Sequence, residues 1–146
     1  FIDYGKQDRQ SHEFVEKITI PALPEGAAFS VYKVSKRRDE DITAVLGAFY
    51  LRRDAEGRVD EIRLAFGGMA GIPKRAAKTE ETLLGNVWNE ASVTQAASHL
   101  AEDFAPLTDW RATAEYRMMV AKNLLRRFYL ETEGEQAELV RFAGVG

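Results

Sequence analysis

The chain contains no cysteine and only two histidines, His12 and His99, among its 146 residues. Without a thiol it cannot build a disulfide scaffold, a thiolate zinc site, an iron–sulfur cluster or a cysteine nucleophile from its own side chains. Two histidines do not supply a multi-histidine metal centre either. No excess of positive charge is present: 20 Lys and Arg face 23 Asp and Glu, for a net charge of −3. That removes the electrostatic footprint of a nucleic-acid binder. Nor does any apolar run approach the roughly 18 residues that span a bilayer, and no signal peptide opens the chain. A cytoplasmic domain with neither membrane nor nucleic acid as partner is the expectation.

What is present fits one globular domain with a sizeable core: 45% of residues are apolar and 29% charged. The opening Phe1-Ile2-Asp3 lacks an initiator methionine, as expected of a piece excised from something larger.

The first half carries strand patterns. Phe14, Glu16, Ile18 and Ile20 alternate with Val15, Lys17 and Thr19 until Pro21 and Pro24 break the run, which predicts a first strand. A second is predicted over Phe29 to Ser35, with Phe29, Val31 and Lys33 on one face. A third, Thr43 to Arg52, is apolar on both faces and therefore central or at a contact surface. Asp54-Ala55-Glu56-Gly57 reads as the turn of a hairpin leading into the alternating strand Glu61 to Phe66.

The second half changes period. Pro73 suits the first turn of a helix ending at Gly85. Asn89 suits the cap of a second helix, on which Val93, Ala96, Ala97, Leu100 and Phe104 recur at helical spacing until Pro106. A third helix is predicted over Arg111 to Glu131, with a stripe of Tyr116, Met119, Val120, Leu124 and Phe128. Strands followed by helices predict an α+β two-layer sandwich: an antiparallel sheet of about four strands, then three helices. The expected organisation is a linker over 1–12, the domain over 13–131 and a weakly patterned tail over 132–146, where Leu139, Val140 and Phe142 suit a short strand.

Several residues stand out chemically. The run Lys36-Arg37-Arg38-Asp39-Glu40-Asp41 is either a solvated loop whose charges cancel or a loop that meets a charged cofactor. Lys33, sharing a strand face with Phe29 and Val31, either reaches water or contacts a ligand. Gly67-Gly68-Met69-Ala70-Gly71 lacks the spacing of a P-loop or a dinucleotide fingerprint and reads as a tight turn that lets a helix pack on the sheet. Arg117 falls inside the apolar stripe of the long helix, so it requires a carboxylate or carbonyl partner, with Asp109 and Asp103 the nearby candidates. His99 reads as exposed, and Trp88 and Trp110 as packing anchors. No catalytic residue and no metal ligand set emerges.

Taken in order, Tyr32-Lys33-Val34-Ser35-Lys36-Arg37-Arg38-Asp39-Glu40-Asp41-Ile42, Phe66-Gly67-Gly68-Met69-Ala70-Gly71-Ile72-Pro73, Trp88-Asn89-Glu90 and Glu115-Tyr116-Arg117 resemble motifs of the flavin subunits of xanthine dehydrogenases. The resemblance covers about residues 1 to 130 and is closest to the small subunits of the bacterial enzymes. It concerns the C-terminal domain shared with carbon monoxide dehydrogenase flavoproteins. It implies an antiparallel sheet covered by three helices, a preceding FAD-binding domain and iron–sulfur domain, and a partner large subunit carrying the molybdenum cofactor. Electrons from hypoxanthine or xanthine then pass through iron–sulfur clusters to FAD and on to NAD. The family's cofactor contacts fall on Val15 and Lys33, and Lys36 to Asp41 resembles the loop that lines the flavin and shapes NAD access. Leucine is frequent in the family where Val15 stands here. No catalytic acid or base is carried over, because hydride transfer needs positioning more than titration. Alternatives are the same domain of another molybdenum hydroxylase, such as a carbon monoxide dehydrogenase or aldehyde oxidoreductase, and a non-catalytic binding module. The isolated domain is expected to be inactive and without bound FAD.

Overall fold

A computed structural model describes residues 1–37 and 41–135. Four antiparallel strands, β1 (Ala28–Val34), β2 (Val45–Arg53), β3 (Val59–Gly67) and β4 (Lys74–Arg75), lie in the order β1-β2-β3-β4, a simple meander. Helices α1 (Ala77–Leu83), α2 (Glu90–Ser98) and α4 (Ala114–Thr132), with the single turn α3 (Leu100–Asp103), follow the sheet in sequence and share one core with it. The two-layer α+β sandwich is therefore the architecture of the described residues.

Alternation decides which face carries the helices. On β2, Val45, Phe49 and Leu51 are buried, while Leu46, Ala48 and Tyr50 on the opposite face stay half-buried. Tyr32 of β1 and Ile62, Leu64 and Phe66 of β3 join the same core as Phe128 of α4. Phe49 is its centre, with the rings of Phe66 at 5.1 Å and of Tyr32 and Phe128 each at 5.7 Å. Gly47 makes room for that ring: a Cβ there would stand 2.6 Å from its tip. Aromatic packing at this scale stabilises through both buried area and edge-to-face contact.

Local capping follows the sequence closely in places. Asn89 accepts from the Ser92 amide at 2.9 Å and Ser92 Oγ accepts from the Asn89 amide at 3.1 Å, so α2 opens on a reciprocal capping box. Gly57, at φ 76°, closes the β2–β3 turn, and the Asp54 carboxylate accepts the Arg58 amide at 2.8 Å. Helix α1 has no side-chain cap of its own. Asp103, arriving from α3, supplies it instead, accepting the Lys78 amide at 2.8 Å and the Thr79 amide at 2.9 Å. This buried carboxylate also accepts the Thr79 hydroxyl at 2.8 Å, and its charge faces the positive end of α1.

Five expectations need correction. Residues 14–20 form no strand among the described residues: alternation permits a half-buried sheet position but supplies no partner edge. Pro73 does not open a helix, because Lys74 and Arg75 extend the sheet beside Phe66 and Ala65 and the helix starts only at Ala77. The second helix breaks at His99, which caps one turn and starts the next. On α4 the buried stripe is Arg117, Val120, Ala121, Leu124, Leu125 and Phe128, so Tyr116 and Met119 turn outward. Trp110 is exposed, whereas Trp88 is buried and donates from Nε1 to Thr132 at 2.9 Å. The strand suggested at Leu139, Val140 and Phe142 lies outside the described residues, as do Arg38, Asp39 and Glu40.

Candidate functional site

The face of the sheet turned away from the helices has an apolar centre. Register places Val31 opposite Ala48 and Ala48 opposite Ala65, with Phe29 opposite Tyr50 and Lys33 opposite Leu46. Phe29 and Val31 remain 54% and 55% exposed. Lys33 stands at one end of this apolar strip, exposed, and makes no hydrogen bond or ion pair among the described residues. Of the two expectations for Lys33, this open face lets it reach water. The other cations there are engaged: Arg63 holds Glu61 at 2.6 Å, and Arg75 holds the buried Glu80 at 2.5 Å. At the end of the strip opposite Lys33, residues 20–24 run against the same face, bordering a cleft of about 590 Å³ with Phe29, Ala48 and Tyr50.

Lys36 leads away from this strip into the β1–β2 connection. Its ammonium donates to the Trp110 carbonyl at 2.7 Å, which ties the loop base to the segment before α4. Arg37 donates its amide to the Asp41 carboxylate at 2.7 Å, and Asp41 also accepts the Ile42 amide at 2.9 Å. The Arg37 amide first, with the Ile42 amide and the Arg37 charge, holds the Asp41 carboxyl below the usual carboxylate range despite the opposing effect of desolvation. Asp41 is therefore a clasp across the loop rather than a free charge. Next to it lies a cleft of about 470 Å³ lined by Lys36, Ala44, Trp110, Thr113 and Tyr116. The Arg111 guanidinium stacks 4.1 Å from the Trp110 ring centre.

Arg117 secures this corner from below. It is only 4% exposed and donates to the Ala44 carbonyl, to the Gly68 carbonyl at 2.9 Å and to Asp109 at 2.7 Å. Of the two expected carboxylates, Asp109 is the partner, and Asp103 is committed to α1. Gly68 is required twice over: its φ is 77°, and a Cβ would approach the Ala44 oxygen to 2.3 Å. The glycine-rich stretch is thus a turn that delivers a carbonyl to Arg117. Bonds from the Ala112 and Arg111 amides and from Arg117 bring the Asp109 carboxyl down to about 2 despite some desolvation. On the helix-covered face of β1, Tyr32 donates to Glu131 near the end of α4 at 2.6 Å and Arg127 holds the other oxygen at 2.6 Å. Burial and then the bond to Glu131 push the Tyr32 hydroxyl up to about 12.

Val15 sits in the unpaired 14–20 segment and is exposed; no hydrogen bond or ion pair joins it to Lys33 or to the loop. Lys33 and Lys36, by contrast, lie on one continuous stretch of chain leaving β1. Sequence reasoning missed the Lys36–Trp110 tie and the stacked Trp110–Arg111 pair, whose signal was an exposed tryptophan beside an arginine before a helix. No group of three or more metal-ligating side chains occurs among the described residues, and no helix among them is long and apolar enough to cross a membrane.

Comparison with known proteins fits this geometry. The family model of the CO dehydrogenase flavoprotein C-terminal domain matches residues 30–132. The chain is 33% identical over 133 residues to the xanthine dehydrogenase/oxidase of Gallus gallus, covering 89% of the chain but 10% of that protein. It is 28% identical over 128 residues to a putative xanthine dehydrogenase FAD-binding subunit of Escherichia coli, covering 87% of the chain and 44% of that subunit. Among solved structures it is similar to a chain of carbon monoxide dehydrogenase from Hydrogenophaga pseudoflava, with a TM-score of 0.66 and 29% identity over 74% of this chain and 37% of that one. The chain thus spans a tenth of the avian relative and less than half of the bacterial subunit.

Proposed function

The chain belongs to the CO dehydrogenase flavoprotein C-terminal domain family, and we propose that it completes the FAD-binding subunit of a molybdenum hydroxylase of the xanthine dehydrogenase type. In that assembly a preceding domain holds most of the FAD, iron–sulfur domains deliver electrons, a large subunit carries the molybdenum cofactor, and NAD accepts the hydride. The similarity to a carbon monoxide dehydrogenase as well as to xanthine dehydrogenases keeps another molybdenum hydroxylase as the second reading, since the substrate pocket lies outside this chain.

The observation that carries the proposal is Lys33. An ammonium with no hydrogen bond or ion pair among the described residues, at the end of an open apolar strip, suits a ligand that is planar in one part and anionic in another, as a flavin dinucleotide is. FAD, when bound, supplies the relay between one-electron iron–sulfur donors and a two-electron hydride acceptor. This chain's part is binding and enclosure. Lys33 sets a positive charge against the dinucleotide, Val15 adds an apolar contact, and the clasped loop from Lys36 to Asp41, with Arg37 held to Asp41 and the intervening Arg38, Asp39 and Glu40, borders the approach of NAD. No proton moves on these residues.

Enclosure by one lysine and an apolar contact does not offset the cost of ordering so large a cofactor, so the chain alone binds FAD weakly. Titration of FAD fluorescence tests this. A dissociation constant above about 100 µM for the chain alone agrees with the reading, and micromolar or tighter binding contradicts it.

A further inference from the structure

Buried polar atoms without a partner gather at one place in this chain. Among the described residues, the buried side-chain nitrogens that find no acceptor are Nε of Arg111 and Nε of Arg117. Both arginines line a cavity of about 570 Å³, where the glycine-rich turn 68–71 faces the segment 103–111. Arg117 is only 4% exposed, so its guanidinium borders the cavity from the buried side. A buried N–H left unpaired is costly, and two on one cavity call for an acceptor that the chain does not supply.

Further donors lie on the same cavity. The amides of Met69, Ala70 and Gly71, which follow Gly68 at φ 77°, donate no hydrogen bond among the described residues. Met69 is buried, whereas Ala70 and Gly71 are exposed and open to a ligand. Successive free amides after a left-handed residue form a concave anion site. Lys74 gives one ammonium proton to the Asp103 carbonyl at 2.7 Å and keeps two. The carboxylates nearby are already spent as acceptors. Asp109 takes the Arg111 and Ala112 amides and Arg117. Asp103 takes two amides of α1 and the Thr79 hydroxyl, and Asp3, near Gly71, takes the Tyr4 amide at 2.7 Å. Donors are thus in surplus, and Met69, Phe104 and Leu107 give the cavity apolar walls.

We propose that this cavity binds a phosphate monoester carried on a small apolar body. Its accessible donors come from three places in the chain, Ala70 with Gly71, Lys74, and Arg111. That distribution suits the three terminal oxygens of a phosphate better than the two of a carboxylate. Cations and carboxylates around the cavity largely balance, so placed N–H groups select the ligand more than net charge does. The apolar walls receive the body that carries the phosphate. The inference goes beyond the flavin reading and does not rest on it, since every residue it uses is defined by contacts within this chain.

Amide NMR of the nitrogen-15-labelled chain, titrated with phenyl phosphate at constant ionic strength, tests the proposal. The Ala70 and Gly71 amides shift and saturate, with a dissociation constant at or below about 1 mM. Benzoate lacks the phosphate and inorganic phosphate lacks the apolar body, so each binds about fivefold or more weakly. Arg111→Gln and Lys74→Met each weaken phenyl phosphate by about fivefold or more, while the amides of β2 keep their wild-type positions. Arg111 lies against the exposed Trp110 and Lys74 at the sheet edge, so neither variant opens the core. If one variant loses the fold, the other carries the comparison. Shifts that do not saturate by about 10 mM, or that persist unchanged in the variants, overturn the site. Benzoate binding as tightly as phenyl phosphate overturns the assignment to a phosphate.

Discussion

Replacing Arg117 with alanine removes the one side chain that ties the β1–β2 connection, the Gly68 turn and the start of α4 to a common point. Three acceptors lose their donor. The Ala44 carbonyl belongs to a fully buried residue, and an unpaired buried acceptor costs about 1–3 kcal/mol. The Gly68 carbonyl is on an exposed residue and regains water. Asp109, a third exposed, also rehydrates and adds little. Loss of the buried arginine stem leaves a gap against the core, so the total falls at about 3–5 kcal/mol, the range for breaking a buried pair from one side. For a chain of this length that corresponds to a drop of roughly 9–15 °C in melting temperature. Circular dichroism melts and urea titrations of the wild type, Arg117→Ala and Arg117→Lys measure it. The lysine variant recovers only part of the loss, because one ammonium cannot reach three acceptors arranged for a guanidinium fork. A melting temperature for Arg117→Ala within 2 °C of the wild type would refute the clamp.

Asp109 sets an acid limit: its carboxyl sits at about 2 when folded against an ordinary 3.8. The stability it contributes is therefore present above about pH 4 and lost as pH falls toward 2. The difference in melting temperature between wild type and Asp109→Asn shrinks over that window, whereas a difference independent of pH contradicts the assignment. Asp103→Ala strips α1 of its borrowed cap and leaves buried amides unpaired, at a cost of about 2–3 kcal/mol in urea unfolding; a change under 0.5 kcal/mol shows the cap to be dispensable. Asp41→Asn keeps its shape but weakens the clasp on Arg37. In the intact enzyme it alters NAD kinetics and leaves reduction by the molybdenum substrate unchanged, and stopped-flow data with the opposite pattern would place this loop away from the flavin.

Much of the sandwich was legible because burial leaves a periodic trace. β2 announced its central position by being apolar on both faces, and Asn89 and Gly57 announced a cap and a turn through chemistry local to a few residues. What stayed hidden depends on distant partners. The cap of α1 comes from Asp103, and nothing near Ala76 signals it. Pro73 looked like a helix start because its fixed φ suits that position, yet the free edge of β3 recruited the two following residues first. The alternation at 14–20 predicted a strand that does not form among the described residues, since periodicity describes a segment's faces and not its neighbour. On the candidate site, Arg117 and its need for a carboxylate or carbonyl partner followed from a charge inside an apolar stripe, while the choice of Asp109 over Asp103 came from the structure, where Asp103 is committed to α1. The Lys36–Trp110 tie did not, because a carbonyl acceptor has no side-chain identity to read.

The central claim is that the open sheet face with Lys33 closes over FAD in a longer subunit, and the affinity of that subunit for FAD tests it most directly. Lys33 makes no hydrogen bond or ion pair among the described residues, so Lys33→Ala leaves thermal stability unchanged. The account predicts that FAD dissociates from the Lys33→Ala subunit with a constant raised about tenfold or more, an effect that shrinks with added salt. An unchanged dissociation constant, with the variant folded and the flavin fully bound, would contradict it.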